Sequence, residues 1–330
     1  MNSNILEQFK LLINQIKFDI DMSTNSKQQL INMYRLRSIQ TVVKILEKYK
    51  KNITLSSQLK NIKGIGKKSL LRIDEILKTG KLSEIKLQDD IHKYLDIISE
   101  LEDVFGIGRK TAYDLFKKHG ITSIKELQEK FNAGIIDLPQ NIQKGLQYVG
   151  QIKEKIPRDE INELNDILFN VLLEIDPQLF GVICGSYRRQ MKESGDVDFV
   201  IVHPKIKTKK DTEKINYIEK VIHILKQKNI IIDSLTSVDV KTKYMGIYKI
   251  RTFMRRIDIR YMPYESFYSA ILYFTGSKDF NRKMRQVAVN LGYTLNEYGL
   301  FDENNKMFKI NSEKHIFELL DMEYVSPDKR

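Results

Sequence analysis

Apolar residues recur every three or four positions in the first fifty residues. This spacing gives a segment one continuous apolar face and predicts amphipathic helices. The recurring positions are Ile5, Leu6, Phe9, Leu12, Ile13 and Ile16, followed by Ile39, Val42, Val43 and Leu46. The pattern therefore predicts that residues 5–50 are helical.

The spacing of apolar residues changes after Gly150 and Pro157, which interrupt the helical pattern. Pro157 also suits the start of a helix. Short stretches rich in Ile, Val, Tyr and Phe then predict strands. They read FGVICGSY, VDFVIVHP, RRIDIRYMP and YTLNEYGLF. Between these strands, apolar residues in 214–229 and 266–292 have helical spacing. We expect an α+β multidomain protein, all-α in its N-terminal half and mixed α/β in its C-terminal half.

A short motif occurs twice in the helical half. LKNIKGIGKKSLLRIDEIL (59–77) and LEDVFGIGRKTAYDLFKKHGI (101–121) each place Gly-Ile-Gly directly before a helical pattern. Two glycines permit a tight turn that exposes backbone N–H groups at a helix N-terminus, where an anion can bind. Lysines and arginines flank both copies. The motif predicts binding of a phosphate backbone without readout of bases; a plain helix–helix turn is the structural alternative.

Two carboxylates interrupt the strand pattern of GDVDFVIV. Because side chains alternate along a strand, Asp196 and Asp198 share one face, and their repulsion favours a divalent cation between them. Asp258, in RRIDIRY, offers a third carboxylate on another predicted strand. A small set of carboxylates with room for water and phosphate suits Mg²⁺. The alternative is a pair of surface aspartates on an edge strand.

Gly185 and Ser186 precede these carboxylates by about ten residues, with Arg188 and Arg189 between them. A Gly-Ser turn into a helix can present N–H groups and a hydroxyl to a terminal phosphate, and arginine forks neutralise triphosphate oxygens. The combination predicts a nucleotidyltransferase using two metal ions.

Composition limits the class of partner and the compartment that we expect for the protein. The net charge of +12 favours a polyanion, with nucleic acid ahead of membrane, although a lysine-rich, AT-biased coding sequence would produce the same excess. The single cysteine, Cys184, excludes an intramolecular disulfide and fits a reducing compartment. No apolar run is long enough for a membrane span, and the N-terminus lacks the apolar core of a signal peptide. We expect a soluble, intracellular protein.

Together these motifs resemble those of the family X DNA polymerases, of the type of DNA polymerase beta. The matching stretches, in order, are NIKGIGKK, DEILKTGKL, VFGIGRKTA, CGSYRRQMKESGDVDF, FMRRIDIRYMP, LYFTGSKDFNRKMR and LNEYGLF. The resemblance covers essentially the whole chain. It identifies the Gly-Ile-Gly turns as helix-hairpin-helix motifs.

The resemblance implies four domains. They are a 5′-phosphate-binding, lyase-like domain (1–88), a duplex-binding subdomain (89–155), a catalytic palm (156–263) and a subdomain that binds the nascent base pair (264–330).

It also implies roles for individual residues. Asp196, Asp198 and Asp258 would bind two Mg²⁺ ions, which Mn²⁺ can replace, with Asp258 acting on the primer hydroxyl. Nucleotide binding would fall to Ser186, Arg189, Gly195, Tyr273, Phe274, Gly276, Lys278, Asn281 and Arg285. Domain closure would involve Arg260, Glu297 and Tyr298. The DNA 5′-phosphate would meet Arg35, Lys60 and Lys68. A monovalent cation, Na⁺ or K⁺, would bind the carbonyls of Lys60, Ile62, Ile65, Glu102, Val104 and Ile107.

Two positions depart from the family pattern. Arg72 stands where the family's lyase lysine forms a Schiff base, and a guanidinium is a poor amine nucleophile, so we expect weak or absent lyase activity. Lys68, one turn away, is the substitute lysine of a bifunctional alternative. The resemblance also places Lys278 beside the incoming base, where DNA polymerase beta has an acid. A cation there predicts tighter nucleotide binding with modest fidelity.

The resemblance thus implies a template-directed, gap-filling DNA polymerase of base excision repair. Its expected partners are gapped or nicked duplex DNA and a dNTP, and we expect a monomer. A template-independent nucleotidyltransferase is the main alternative, although its relatives carry a longer loop before the third aspartate. A non-catalytic DNA-binding scaffold would lack a metal ligand. The compact chain suits a large DNA virus or a lower eukaryote, which predicts the cytoplasm or virion, or the nucleus.

Overall fold

A computed structural model describes residues 2–86, 89–152, 155–236 and 241–330, without the side chains of 89–91. The chain divides into two compact units, Met1–Leu146 and Gln147–Arg330. The predicted boundary at 88/89 touches residue 88, outside the described residues. The predicted division into four domains stays a prediction.

The first unit is helical. Its helices are α1 (Ser3–Met22), α2 (Ser26–Lys48), α3 (Lys67–Thr79), α4 (Asp89–Glu102), α5 (Arg109–His119), α6 (Ile124–Asn132) and α7 (Gln140–Gln147), and a 3-10 turn lies at Ser56–Leu59. The apolar faces predicted for α1 and α2 meet in one core, where Phe9, Leu12 and Val42 are fully buried. Asn25 starts α2 by accepting hydrogen bonds from the N–H groups of Lys27 and Gln28. The predicted helices of residues 5–50 are confirmed.

The second unit combines strands and helices. Its strands are β1 (Ile156–Pro157), β2 (Phe180–Ile183), β3 (Glu193–Ser194), β4 (Val197–Val202), β5 (Ile231–Ser234), β6 (Lys243–Tyr248), β7 (Arg255–Tyr261), β8 (Thr294–Leu295) and β9 (Leu300–Phe301). Its helices are α8 (Arg158–Ile175), α9 (Gly185–Arg188), α10 (Lys209–Thr212), α11 (Tyr217–Gln227), α12 (Phe267–Thr275), α13 (Lys278–Asn290) and α14 (Glu313–Leu319). The predicted α+β class is confirmed.

A five-stranded mixed sheet, in the order β2-β4-β7-β6-β5, forms the centre of this unit. Strands β4 and β7 run parallel, whereas the other neighbours are antiparallel. Strands β5 and β6 were not predicted from the sequence. Since β5 has only four residues and β6 contains Gly246, neither produces a strong alternating pattern.

The two faces of the sheet pack against different helices. On β4, Phe199 and Ile201 pack with residues of α8 and α11, whereas Val200 and Val202 pack with Ala270 of α12. Alternation therefore puts the even-numbered side chains of β4, including Asp198, on the α12 face. This arrangement positions the candidate site.

The last part of the chain has a small core of its own. Helices α12, α13 and α14 and the β8–β9 hairpin surround buried Leu272, Met284, Leu300 and Phe317. Within the described ranges, no helix combines the length and apolarity needed to cross a membrane.

Candidate active site and nucleic-acid interface

Two of the predicted catalytic aspartates lie side by side on the central sheet. In the parallel pair of β4 and β7, Asp198 is the register partner of Asp258. Adjacent strands lie about 4.8 Å apart, and register partners point to the same face. The odd-numbered neighbours Ile257 and Ile259 are buried on the opposite face. The fold thus brings together two carboxylates separated by sixty positions in the chain.

Gly185 allows the backbone of α9 to approach the Asp198 carboxylate closely. Its φ is +56°, and a Cβ built there would lie 2.5 Å from Asp198 Oδ2. The N–H group of Cys184 also donates to the Asp198 carbonyl at 2.7 Å. The Gly-Ser turn is therefore attached to the strand that carries Asp198.

The local electrostatics disfavour two bare carboxylates. Burial, together with the charges of Asp196 and Asp258, raises the pKa of Asp198 to about 7. Burial also raises the pKa of Asp258, whose Oδ1 is buried with no hydrogen-bond partner among the described residues. Hard oxygen ligands with an unsatisfied buried acceptor and a close backbone cradle fit a divalent cation such as Mg²⁺.

Asp196 differs from the sequence expectation. Strand β4 begins at Val197, so Asp196 lies in the preceding turn rather than on the strand. Its Oδ2 accepts a hydrogen bond from Arg256 at 2.8 Å. Across the described part of the chain, no three His, Cys, Asp or Glu side chains converge closely enough to hold a metal ion as they stand. The pairing with Arg256 engages the third predicted ligand.

The predicted triphosphate residues adjoin these carboxylates. Ser186 lies in the single turn of α9, one residue after Gly185. Arg189 donates through Nη1 to the carbonyl of Thr275, the last residue of α12. Gly276 follows with φ +70°, and a Cβ there would lie 3.3 Å from Arg189 Nη1. The structure therefore brings Arg189 and Gly276 together.

The predicted base-pair residues cluster where α12 meets α13. Tyr273 and Phe274 form an edge-to-face pair with ring centroids 5.2 Å apart, and the Arg260 guanidinium lies 5.4 Å from the Phe274 ring. Asn281 donates to the Tyr273 carbonyl at 2.6 Å, and Arg285 donates to the Asn281 carbonyl at 3.4 Å. The bond from Asn281 to Tyr273 links the two helices.

Other predicted residues take no part in these hydrogen bonds and ring contacts. Gly195 is an exposed turn residue before Asp196, and Lys278 is exposed at the first position of α13. Tyr298 lies under the ammonium group of Lys209, 5.4 Å from ring centroid to Nζ. Glu297 is half-buried. The role predicted for Arg260, Glu297 and Tyr298 in domain closure stays a prediction.

The two Gly-Ile-Gly turns have matching backbone geometry. Gly66 and Gly108, the N-caps of α3 and α5, both have φ −95° and ψ 172°. Gly64 and Gly106 have φ values of +102° and +89°. A Cβ on Gly66 or Gly108 would meet no atom within 4 Å. Each turn therefore leaves its helix N-terminus accessible to an anion.

The carbonyls predicted to bind a monovalent cation lie in these same turns. The Ile62 carbonyl accepts from the Ile65 N–H at 3.1 Å, and the Val104 carbonyl accepts from the Ile107 N–H at 3.0 Å. Since a carbonyl has two lone pairs, each keeps capacity for a cation. Lys60 and Glu102 each lie four positions before the first glycine of their turn. Cation binding stays a prediction.

The predicted 5′-phosphate residues are only partly assembled. Arg35 on α2 donates to Glu84 Oε2 at 2.6 Å, and Arg72 on α3 donates to both oxygens of the same carboxylate. Lys60 and Lys68 are exposed, and no described contact joins them to Arg35. The structure thus connects Arg35 with Arg72 through an acid that was not predicted from the sequence.

Two partners of the candidate sites were missed. Arg256 could have been found, because it alternates with Asp258 and Arg260 along β7 and so shares their face. Glu84 gives no such signal, since it lies in a turn after α3 and meets Arg72 only through tertiary packing.

Three family models match the chain in succession. The helix-hairpin-helix domain matches residues 2–82, the DNA polymerase beta palm matches 155–264 and the DNA polymerase beta thumb matches 270–330. Their order follows the helical unit, the sheet and the small terminal core.

Curated relatives cover the same span. A protein named DNA polymerase lambda from Arabidopsis thaliana is 30% identical over 353 residues, covering 100% of this chain and 62% of the relative. A protein of the same name from Rattus norvegicus is 28% identical over 305 residues, covering 87% of this chain and 51% of the relative. The chain therefore spans between half and two thirds of the length of these relatives.

Proposed function

Because this chain belongs to the X family of DNA polymerases, we propose that it is a template-directed DNA polymerase that fills short gaps during base excision repair. The observation that carries the proposal is the register pairing of Asp198 with Asp258, beside the Gly185 turn. A primer 3′-hydroxyl and an incoming dNTP would react at this edge of the sheet.

The three aspartates would hold the divalent ions. Asp198 and Asp258 are adjacent, and Asp196 would exchange Arg256 for an ion. When bound, two such ions would supply Lewis-acid activation of the primer hydroxyl and neutralisation of the pyrophosphate charge. The raised pKa values of Asp198 and Asp258 are consistent with a site built for added positive charge.

Residues of the chain would orient the reaction. Ser186 and Arg189 would hold oxygens of the triphosphate, with Arg189 aimed by its bond to the Thr275 carbonyl. Asp258 Oδ1, a buried acceptor with no described partner, would receive the proton of the primer hydroxyl. A bond then forms between the primer oxygen and the α-phosphorus, and the bond to pyrophosphate breaks.

The helical unit would bind the DNA backbone. Both Gly-Ile-Gly turns carry a helix N-terminus that accepts anions and lies among lysines, such as Lys67, Lys68 and Lys110. Such contacts ignore base identity, which suits an enzyme that acts on gaps of any sequence. Monovalent cations at the carbonyls of Ile62 and Val104 would strengthen the same contacts.

Lyase activity would be weak or absent. Arg72 is held by Glu84, and a guanidinium is a poor amine nucleophile, so Arg72 is unsuited to forming a Schiff base. In the bifunctional alternative, exposed Lys68 one turn earlier on α3 would replace it. Borohydride trapping on an incised abasic-site substrate tests this: we expect little cross-linking, and efficient trapping that is lost in a Lys68→Ala variant would establish the alternative.

The connection between β6 and β7 favours template-directed synthesis. Only residues 249–254 join the two strands, whereas a template-independent enzyme of this type is expected to carry a longer loop there. Primer extension on a one-nucleotide gap, compared with extension of a single strand, distinguishes the two activities. We expect incorporation of the complementary nucleotide on the gap alone; untemplated addition to the single strand would support the alternative.

A further inference from the structure

Two arginines from different helices converge on one carboxylate in the helical unit. Arg35 on α2 and Arg72 on α3 both donate to Glu84, at 2.6 Å for Arg35 Nη2 and 3.1 Å for Arg72 Nη2. Burial alone would raise the pKa of Glu84, but hydrogen bonds and charges from both arginines outweigh burial and lower it. Glu84 is therefore ionised near neutral pH.

The backbone around Glu84 is fixed independently of this contact. Leu82 is buried, and its N–H donates to Gln8 at 3.1 Å. The N–H of Ser83 donates to Glu75 at 2.6 Å, and that of Lys86 donates to Gln15 at 3.2 Å. The turn presents Glu84 to the arginines whether or not they hold it, so its side chain can leave by rotation alone.

The arrangement resembles an arginine clamp around an anion. Guanidinium forks bind carboxylates and phosphates with the same bidentate geometry. The Glu84 side chain is 29% exposed and that of Arg35 is 32% exposed, so solvent and ligands reach the contact. A carboxylate brings one negative charge, whereas a phosphate monoester brings nearly two and a third acceptor oxygen.

We propose that Glu84 is an internal competitor for a 5′-terminal phosphate monoester, which displaces it and takes Arg35 and Arg72 as ligands. The inference rests on the proposed function, because a gap-filling polymerase meets such an end on the downstream strand. Arg72 then has a role at the predicted lyase position that requires a permanent cation rather than an amine. Glu84 weakens the hold on the 5′ end without abolishing it.

The test measures binding to DNA with a one-nucleotide gap, prepared with either a 5′-phosphate or a 5′-hydroxyl. The Glu84→Gln variant removes the charge but keeps the size of the side chain. Asp74→Asn removes one charge from an exposed residue of α3 and serves as the matched control. We expect the 5′-phosphate to improve the affinity of Glu84→Gln about fivefold to tenfold more than that of the unchanged protein or of Asp74→Asn.

Salt dependence gives a second readout. In the unchanged protein the phosphate replaces an internal anion, whereas in Glu84→Gln it displaces solution anions from two free arginines. The slope of log affinity against log salt on 5′-phosphorylated DNA should therefore be steeper for Glu84→Gln, by about one. A purely structural role for Glu84 would leave this slope unchanged.

The proposal is overturned if well-folded Glu84→Gln gains no more from the 5′-phosphate than the control does. If that variant fails to fold, the unchanged protein still tests the proposal. The measurement is then the NMR signal of the Arg72 Nε–H group. We expect this signal to shift on addition of 5′-phosphorylated DNA and to stay in place with 5′-hydroxyl DNA. An unmoved signal with both DNAs contradicts the proposal.

Gap filling on the 5′-hydroxyl substrate checks the proposed function separately. If the primer is not extended, the polymerase proposal fails, while the comparison of the two DNA ends remains valid. If the primer is extended and the phosphate effect is absent, only the role of Glu84 is refuted.

Discussion

Glycine at position 185 is required by the neighbouring carboxylate and by the backbone. Its φ of +56° is unfavourable for other residues, and a Cβ would lie 2.5 Å from Asp198 Oδ2. A side chain at this position would push the Asp198 carboxylate from its place. The close approach is therefore a feature of the candidate active site.

A Gly185→Ala variant should lose most gap-filling activity. The added methyl group would move the Asp198 carboxylate, and a displacement of about 1 Å can cost a hundredfold in rate. Single-turnover extension of a gapped primer measures the loss.

Gly292→Ala is the control for backbone strain. Gly292 also has a positive φ, +78°, but a Cβ there would meet nothing within 4 Å. Both variants should lose about 1–2 kcal/mol of stability, and only Gly185→Ala should lose activity. Equal activity in the two variants would argue against the importance of this approach.

For single residues of the candidate active site, the sequence predicted the carboxylates but not the arginine that pairs with Asp196. Alternation predicted Asp196 and Asp198 on one face of a strand, and RRIDIRY predicted Asp258 on another strand. Asp198 and Asp258 do lie on β4 and β7, whereas Asp196 precedes β4. The pairing of Asp196 with Arg256 depends on where β4 begins, a boundary that residue periodicity does not determine.

The two glycines of each Gly-Ile-Gly turn have different surroundings, which gives them different roles. The first glycine adopts a positive φ and is crowded: a Cβ on Gly106 would lie 2.6 Å from Asn141 Nδ2. The second glycine, Gly108, has ordinary extended dihedrals and open space in front of it. The first position serves the fold, and the second would serve the approach of a phosphate.

Alanine substitutions should separate these requirements. Gly106→Ala should lower the free energy of unfolding by at least about 1–2 kcal/mol, because of its strained φ and the crowding. Gly108→Ala should keep its stability but bind duplex DNA about fivefold more weakly, since the methyl group stands where a phosphate oxygen would meet the backbone N–H groups. Thermal melts and fluorescence anisotropy measure the two effects; an unchanged affinity for Gly108→Ala would count against the phosphate role.

Elements with a strong repeating pattern were predictable, and short central strands were not. The faces of α1 and α2 extend over several turns, so that many positions report the same period. Strand β5 offers four residues, and β6 owes its place to pairing with β7. Tertiary pairing therefore determined the two strands, of five in this sheet, that the sequence left unassigned.

At the scale of the second unit, a buried ion cluster joins distant parts of the chain. Glu313 on α14 accepts hydrogen bonds from Arg188 and Arg330, and its side chain is 8% exposed. Burial alone would raise the pKa of Glu313, but the two arginines outweigh it and hold the pKa below its usual value. Since Arg188 lies beside Arg189 in the chain, the cluster also supports the candidate triphosphate site.

Removal of this carboxylate should alter both stability and its pH dependence. A depressed pKa stabilises the folded state above the unfolded value near 4.5, and this contribution is lost as pH falls through the folded value. Glu313→Gln should therefore be less stable at pH 7, by about 3 kcal/mol, because two arginines lose their counter-ion. Below pH 4.5 the difference from the unchanged protein should shrink.

Glu318→Gln, on the same helix, is the matched control. Glu318 is 57% exposed and pairs with Lys314 at 3.7 Å, so its loss should cost no more than about 0.5 kcal/mol. Melting temperatures between pH 3 and 7 compare the variants. A Glu313→Gln deficit that does not change with pH would contradict the assigned role of the carboxylate charge.

Composition gives the net charge of the whole molecule, but it does not tell which cations are free to bind a ligand. A net charge of +12 predicted a polyanionic partner. The structure shows that several cations are already engaged, since Arg109 binds Asp21 through two hydrogen bonds and Arg35 and Arg72 bind Glu84. Ion pairs within the folded protein therefore neutralise part of the positive charge that a count from the sequence would assign to ligand binding.

Above all, we propose that Asp258 and its register partner, Asp198, form the catalytic centre of a gap-filling polymerase. Single-turnover extension on a one-nucleotide gap, with Mg²⁺, dNTP and DNA in excess, tests it in an Asp258→Asn variant. Asp166→Asn, an exposed position on α8, is the control. We expect Asp258→Asn to lose at least about a thousandfold in rate, with unchanged DNA affinity, and the control to keep full activity. Retained extension by folded Asp258→Asn would refute the assignment of Asp258.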